Sequence, residues 1–261
     1  MSEADLEGRG FVVTGGSGHL GAPMVRSLLR AGGVVVAIAR GADGLAALAD
    51  SCGADAERLE TLAGDVRSED TVERAIEMVD ARQQRLAGWV NNANTASGGG
   101  LLFGLDRQEL TDAVTALADL MMTTEQVASA MIDRDEHGAI VNVSSMYGLV
   151  APDPRAYEQH PDFHNPPGYG AVKAGMLQFS RYAATHLAPY GIRVNSVSPG
   201  PFPRASVQEH RGFVQELERR VPLGRVGRAE EVAGAVRYLL SDDASYTTGT
   251  NIVIDGGWTA W

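Results

Sequence analysis

Tyr169 stands four residues before Lys173, and Lys173 is the single lysine of a chain whose other basic side chains, histidine aside, are arginines. Four residues is about one helical turn, so a phenol and an ammonium at this spacing share a helix face. A positive charge beside a phenol favours the phenolate, and it is expected to pull the tyrosine down from its ordinary value near ~10. A phenol tuned in this way trades a proton with a substrate hydroxyl or carbonyl near neutral pH. Lysine suits the place because its charge is compact and its stem flexible, where a guanidinium is a rigid fork.

A second group of residues points to a nucleotide. Thr14-Gly15-Gly16-Ser17-Gly18-His19-Leu20-Gly21 joins the apolar run Phe11-Val12-Val13 to a helical pattern that continues to about Arg30. Glycines there permit a tight turn and let the backbone approach a pyrophosphate, which rests on the helix N-terminus. In a chain with 31 glycines such a turn is weak evidence alone; its place between the first strand and the first helix makes it strong. Gly15, Ser17, Gly18, His19, Leu20 and Gly21 are the candidate contacts. The second strand ends in Ala39-Arg40, where an acidic residue would bond the ribose hydroxyl of NAD. Nothing here repels a 2′-phosphate and a guanidinium stands ready to hold one, so NADP(H) is favoured over NAD(H). The competing reading of Arg40 is an ordinary solvated arginine.

These residues need a scaffold, and the pattern supplies one. Strands are expected at Phe11-Val13, Val34-Ala39, Leu59-Asp65, Gly88-Asn91, Ala139-Val143, Ile192-Val197 and Asn251-Ile254. Helical patterns fall between them: from about Asp43, from an N-cap at Ser68 to about Arg85, over 107–133, through Tyr169 to about Ala188, and over Ala229-Leu240. Strands alternating with helices imply parallel βαβ units and a sheet covered on both faces. No linker, repeat or change of composition divides the chain. The expected fold is α/β: one doubly wound Rossmann domain over 1–261, a seven-stranded parallel sheet with helices on both faces. Its substrate site is expected in the 94–104, 146–168 and 200–225 loops.

Composition narrows the partners. The net charge of −11 argues against nucleic acid or a membrane surface. Cys52 is alone, which fits a reducing compartment. The first ten residues lack an apolar signal core, and no apolar run approaches the ~20 residues that cross a bilayer. A soluble, cytoplasmic protein is expected, with a small carbonyl or alcohol as partner.

Seven short motifs in this order resemble the short-chain dehydrogenase/reductase family, over about Gly10 to Gly257. They are the Thr14-Gly15 turn, Asp65-Val66, Asn91-Asn92-Ala93, Val141-Asn142-Val143-Ser144-Ser145, Tyr169 to Lys173, Arg193 to Gly200, and Asp255-Gly256-Gly257. The resemblance implies that Asp65 and Val66 hold the adenine and that Asn91, Asn92 and Ala93 wall the nicotinamide ribose. It implies Ser145 as donor to the substrate oxygen, with Ser144 the weaker candidate. Tyr169 is then the general acid in reduction and base in oxidation, while Lys173 binds ribose hydroxyls and tunes the phenol; Tyr169 and Lys173 both count among the cofactor contacts. Pro199, Gly200 and Phe202 would border the nicotinamide pocket. Family members also commonly assemble as homotetramers or homodimers through two long helices and the last strand.

The chain departs from that pattern in four places. His19 occupies a usual glycine position, and the Gly15, Gly18, Gly21 spacing is similar to a longer branch that includes sugar-nucleotide epimerases. An asparagine expected in the long helix near Ala116 is missing, so its proton relay should be altered or supplied by another group. The segment 146–168 between Ser145 and Tyr169 is long and proline-rich; His160 and His164 within it suggest a metal only weakly, and no metal is expected. Asn94 replaces a glycine, and Pro201-Phe202-Pro203-Arg204 stands where a threonine often contacts the carboxamide. The function expected is an NADP(H)-dependent oxidoreductase that interconverts a ketone and a secondary alcohol, on a sugar-like, polyol or 3-oxoacyl substrate. A cofactor-binding sensor or scaffold, and a redox-neutral epimerase or lyase, are the alternatives.

Overall fold

A computed structural model of the chain describes residues 6–93 and 102–261. The strands are β1 (Arg9–Thr14), β2 (Val34–Ala39), β3 (Leu59–Ala63), β4 (Arg85–Asn91), β5 (Ala139–Val143), β6 (Arg193–Pro199) and β7 (Asn251–Ile254). All pair in parallel, in the order β3-β2-β1-β4-β5-β6-β7. The order reverses between β1 and β4, and a crevice at the strands' C-terminal ends is where such sheets bind ligands.

Eight helices occur among the described residues. They are α1 (Gly21–Arg30), α2 (Ala42–Ser51), α3 (Glu69–Ala81), α4 (Arg107–Asp133), α5 (Pro167–Leu187), α6 (Ala205–Gln208), α7 (Arg211–Arg220) and α8 (Ala229–Leu240). Successive strand residues point to opposite faces. Phe11 and Val13 of β1 therefore join a core with Met24, Leu28, Leu48, Val236 and Leu239, under α1, α2 and α8. Val12 joins the opposite core with Val72, Ile76, Val127, Met131 and Ala183, under α3, α4 and α5. The double burial explains why β2 reads as an unbroken apolar run. Among the described residues no helix is long and apolar enough to cross a membrane.

Several limits differ from the sequence expectation: β3 ends at Ala63 and not Asp65, β4 begins at Arg85 and not Gly88, and β6 spans Arg193–Pro199 and not Ile192–Val197. Helix α3 stops at Ala81, four residues short of Arg85, because Gln83 takes φ 56° and turns the chain into β4, which begins at Arg85 itself. Ser68 holds the N-cap position of α3, but its side chain makes no capping bond. The 200–225 segment is not a plain loop. Helix α7 lies within it and buries Phe213, Val214 and Leu217 along one face. Residues 94–101, part of the expected substrate loop and including Asn94, lie outside the described residues.

Helix α7 packs on the long segment that precedes α5. That segment forms short 3-10 turns at Met146–Gly148, Pro154–Ala156 and Pro161–Phe163. Met146, Tyr147, Ala156, Tyr157, Phe213 and Leu217 make a third, small core, with Phe163, Tyr169, Val207, Val226 and Trp258 at its edge. Phe163 stacks on Phe213 at 4.5 Å between ring centroids. Arg220 closes the unit by bonding Asp153 at 2.5 Å.

Candidate active site

The crevice begins with the glycine turn. Gly15 has φ +63°, and a Cβ there would lie 2.9 Å from Asn92 Nδ2. A Cβ on Gly21 would lie 2.1 Å from the Gly15 carbonyl oxygen, so the first turn of α1 can close on the strand only with glycine at this place. Thr14 ties this turn to β4: its hydroxyl donates to Val90 O and accepts from the amides of Asn92 and Ala93. Asn92 Nδ2 donates to the carbonyls of Thr14 and Gly15, at 2.9 and 3.1 Å. Asn92 thus acts by fixing the shape of the turn. Thr14 is the functional residue that its sequence position alone does not single out, because its role rests on contacts with a strand more than seventy residues away.

The turn is shaped for an anion. The amides of Gly16, Gly18 and Ala22 reach carbonyls, whereas those of Ser17, His19 and Leu20 meet no acceptor among the described residues. They stand at the N-terminus of α1, where the helix dipole favours negative charge. Beside it opens a cavity of about 300 Å³ lined by Gly15, Ser17, Gly18, Ala39, Arg40, Asp65, Val66 and Ala93. These residues fit a dinucleotide: glycines where a pyrophosphate would approach, and an adenosine-sized recess at the ends of β2 and β3.

The charges in that recess are already arranged. Asp65 accepts from Arg67 Nε at 3.0 Å and from its backbone amide at 3.1 Å. The side-chain bond from Arg67 is the main reason that the carboxyl is held down at about 2. Arg40 is exposed and makes no hydrogen bond or ion pair with any described residue. His19 is exposed and borders a separate groove with Arg26 and Arg228. Leu20 turns instead against the core beneath α1.

Across the switch point lie the reacting groups. Lys173 is 4% exposed; its Nζ donates to Val143 O at 2.9 Å and lies 5.7 Å from the centre of the Tyr169 ring. The shared helix face read from the spacing is therefore present. Burial pulls the ammonium down to about 8. The tyrosine moves against the sequence expectation: burial pushes the phenol above its ordinary value, offset in part by a hydrogen bond with the Ser145 side chain. The expected lowering assumed a charge acting on a solvated phenol; here desolvation is the larger effect, and the opposing one comes from Ser145.

The two serines part company. Ser144 donates its hydroxyl to the Lys173 carbonyl at 2.9 Å, so it is spent on fastening β5 to α5. Ser145 faces Tyr169, and its oxygen also accepts from the Tyr147 amide at 3.1 Å. Beneath them runs a buried relay of side chains: Trp89 Nε1 to Asn91 Oδ1, Asn91 Nδ2 to Asn142 Oδ1, and Asn142 Nδ2 to Ser180 Oγ, each 2.8–2.9 Å. Fully paired networks of this kind hold a core in one arrangement. Asn91 is thus spent internally as well.

The remaining candidates are spread along the same sheet edge. Pro199 ends β6, and Gly200 follows with its amide on Ile254 O at 2.9 Å. Phe202 packs its ring on Gly227 and borders a further cavity of about 110 Å³ with Leu223. His160 and His164 pack against Phe213 and Tyr157, and no group of three metal-binding side chains occurs among the described residues.

Comparison with known proteins agrees with this geometry. The sequence profile of the family described as enoyl-(acyl carrier protein) reductase matches residues 17–259. The chain is 36% identical over 256 residues to the uncharacterized short-chain type dehydrogenase/reductase y4vI of Sinorhizobium fredii, covering 96% of this chain but 44% of that longer protein. It is 35% identical to the cis-4-hydroxycyclohexanecarboxylate dehydrogenase of Sinomonas cyclohexanicum, with both chains covered in full. A crystal structure of a short-chain type dehydrogenase/reductase from Mycobacterium marinum superposes with a TM-score of 0.85 at 30% identity, covering 98% of this chain and 97% of the other.

Proposed function

Since the chain belongs to the short-chain dehydrogenase/reductase family and is an NAD(P)-dependent oxidoreductase of ketones and alcohols, we propose that Tyr169 moves the proton in that reaction and that NADP(H) is the preferred cofactor. The observation that carries this reading is the convergence of buried Ser145 and Lys173 on the half-buried Tyr169, with Ser145 bonded to the phenol and the Lys173 ammonium 5.7 Å from its ring. When bound, the cofactor supplies or accepts the hydride. Every other part falls to the protein. Ser145 donates to the substrate oxygen, Tyr169 gives that oxygen its proton in reduction and takes it back in oxidation, and Lys173 holds positive charge beneath the phenol as the proton leaves. The glycine turn, Asp65, Val66 and Ala93 hold and orient the nucleotide. Pro199, Gly200 and Phe202 support its far end.

The surroundings of Tyr169 bear on the substrate. The ring sits at the edge of an aromatic cluster that includes Tyr147, Tyr157, Phe163, Phe213 and Trp258. An apolar neighbourhood of this kind, together with the ring acid of the Sinomonas relative, favours a compact ring-bearing alcohol or ketone over the sugar-like and polyol members of the sugar-like, polyol or 3-oxoacyl set that the sequence suggested. Nothing in the site favours the sensor or the redox-neutral alternative. The test is oxidation of NADPH with a panel of cyclic and open-chain ketones. Tight NADPH binding with no turnover of any of them would overturn the proposal.

Cofactor choice rests on Arg40. Replacing it with aspartate is expected to move the preference from NADPH towards NADH by about 10- to 100-fold, the worth of one charge-assisted bond of about 1.5–3 kcal/mol. Steady-state kinetics with both cofactors measure the ratio; an unchanged ratio would show that Arg40 does not read the phosphate.

We also place the protein in the cytoplasm as a homodimer or homotetramer. Free Cys52 and the acidic charge support the compartment. The exposed apolar face of α4, with Val114 63% and Met122 58% exposed, and Tyr182 on α5 support self-association. Light scattering should return a multiple of 27.6 kDa, and Met122→Glu should lower it; a monomer at micromolar concentration excludes this assembly.

A further inference from the structure

Two tyrosines of the third core stand beside Tyr169 and take no part in its reaction. Tyr147 lies two residues after Ser145, and Tyr157 lies in the long segment before α5. Both are buried, and their hydroxyls bond one another. Burial pushes both phenols above their ordinary value, so each keeps its proton. The pair therefore holds two hydroxyl hydrogens, and the bond between the oxygens spends one of them. The Asn165 side chain also bonds the Tyr157 hydroxyl, and it favours the phenolate, as a donated bond does. Whichever phenol is the donor, one O–H is left without an acceptor among the described residues. A second polar atom of this cluster is unspent as well. His164 stands edge-on to the Tyr157 ring at 5.0 Å between centroids, and its Nδ1 is sealed from solvent with no partner among the described residues. Buried polar atoms without a partner are uncommon, and two on neighbouring side chains point to a ligand that completes them. The place adjoins the reacting group: the charge of Tyr169 acts on both phenols, and a Cβ on Gly170 would come within 2.9 Å of Tyr147 O.

The field at the pair selects the ligand. Arg220 is the ionised side chain whose charge acts on both phenols. Its guanidinium already holds Asp153 and Glu216, at 2.5 and 2.8 Å, so it lends potential and no bond. A donor in a positive field suits an anionic oxygen. With its hydrogen on Nδ1, His164 is a second donor beside the first. We propose that Tyr147, Tyr157 and His164 form a carboxylate subsite, so that the substrate is a ring alcohol or ketone that also carries a carboxylate. The inference deepens the oxidoreductase reading above and rests on it. These residues bind and select; none of them moves a proton or a hydride. A carboxylate anchored there fixes which carbon of the ring is presented to Tyr169 and Ser145. A neutral ring leaves the phenolic O–H and His164 Nδ1 unpaired, and a site built to bond a group rejects the analogue that lacks it.

The test sets 4-oxocyclohexanecarboxylate against its methyl ester, with NADPH and the full-length protein. The wild type is expected to favour the acid in kcat/KM by about 100-fold, mostly through KM. The Tyr147→Phe, Tyr157→Phe double variant keeps both rings and removes both hydroxyls; its preference should fall to about threefold or less. His164→Phe keeps a ring against Tyr157 and should lower the preference about tenfold. A ratio between two substrates cancels the general loss of activity that a merely structural role would produce. Equal values for acid and ester in the wild type would overturn the subsite. So would a preference that survives the double variant, because the phenols then hold only water. Should that variant not fold, an unchanged preference in His164→Phe would overturn it instead. If neither ketone turns over, calorimetry on the NADP-loaded wild type decides: binding of cyclohexanecarboxylate about tenfold or more tighter than that of cyclohexanecarboxamide supports the subsite, and equal affinity overturns it. Absence of turnover of every ketone is a different result, which removes the enzyme reading and leaves that binding comparison standing.

Discussion

Replacing Tyr169 with phenylalanine is expected to cut turnover by about a thousandfold, within the range for losing a positioned general acid. NADPH affinity should stay near that of the wild type, because the phenol is not among the residues that line the nucleotide recess. Folding should be barely affected. The ring keeps its place at the edge of the aromatic cluster, and the change removes one hydroxyl whose partner Ser145 retains the Tyr147 amide. The expected stability change is within about 1 kcal/mol. The pair of measurements matters more than either alone: fluorescence titration of NADPH separates a lost acid from a lost binding site. Turnover near wild type in Tyr169→Phe would remove Tyr169 as proton donor and leave the serine and lysine without a role in acid–base chemistry.

Lys173→Met is expected to abolish turnover and yet to stabilise the cofactor-free protein. Burial holds Lys173 at about 8, against an ordinary value of 10.5. A lysine whose value falls on folding binds its proton more tightly in the unfolded chain, so protonation costs the fold. That cost is fully present below about pH 8, fades as the pH rises, and is gone above 10.5. At about 1.4 kcal/mol per pH unit it amounts to about 3 kcal/mol. Methionine fills similar space without charge but leaves Val143 O unpaired, which returns about 1 kcal/mol. The net gain of about 2 kcal/mol corresponds to a rise in Tm of roughly 4–8 °C at pH 7. Between pH 8 and 10.5 the wild type should gain stability and close the gap. A variant less stable than the wild type at pH 7 would show that Lys173 is a structural strut and not a strained functional group.

Much of this was readable from the chain. Strands β2, β5 and β7 and helices α4 and α8 have the limits that hydrophobic period and turn residues imply. The catalytic pair was readable too, because its two members are one helical turn apart, and local spacing survives folding unchanged. What the sequence hid depends on distance or burial. Helix α7 shows only Phe213, Val214 and Leu217 as apolar signals, and so short a helix is stabilised by the segment it packs on. The Asn91–Asn142–Ser180 chain joins residues on three elements. The upward shift of Tyr169 required knowing how deeply the ring is set.

The rivets around Lys173 have a consequence for how such a protein can diversify. Ser144 is bonded to the Lys173 carbonyl, a Cβ on Gly148 would come within 2.8 Å of the Lys173 backbone, and one on Gly170 within 2.9 Å of Tyr147 O. Both ends of the 149–166 excursion are therefore pinned to the helix that carries the phenol and the amine. Whatever length or composition evolves between those pins, the strand-to-helix junction does not have to move. Recognition and proton chemistry are inherited as separable modules, so a transplanted excursion should carry a new specificity onto an unaltered reaction centre.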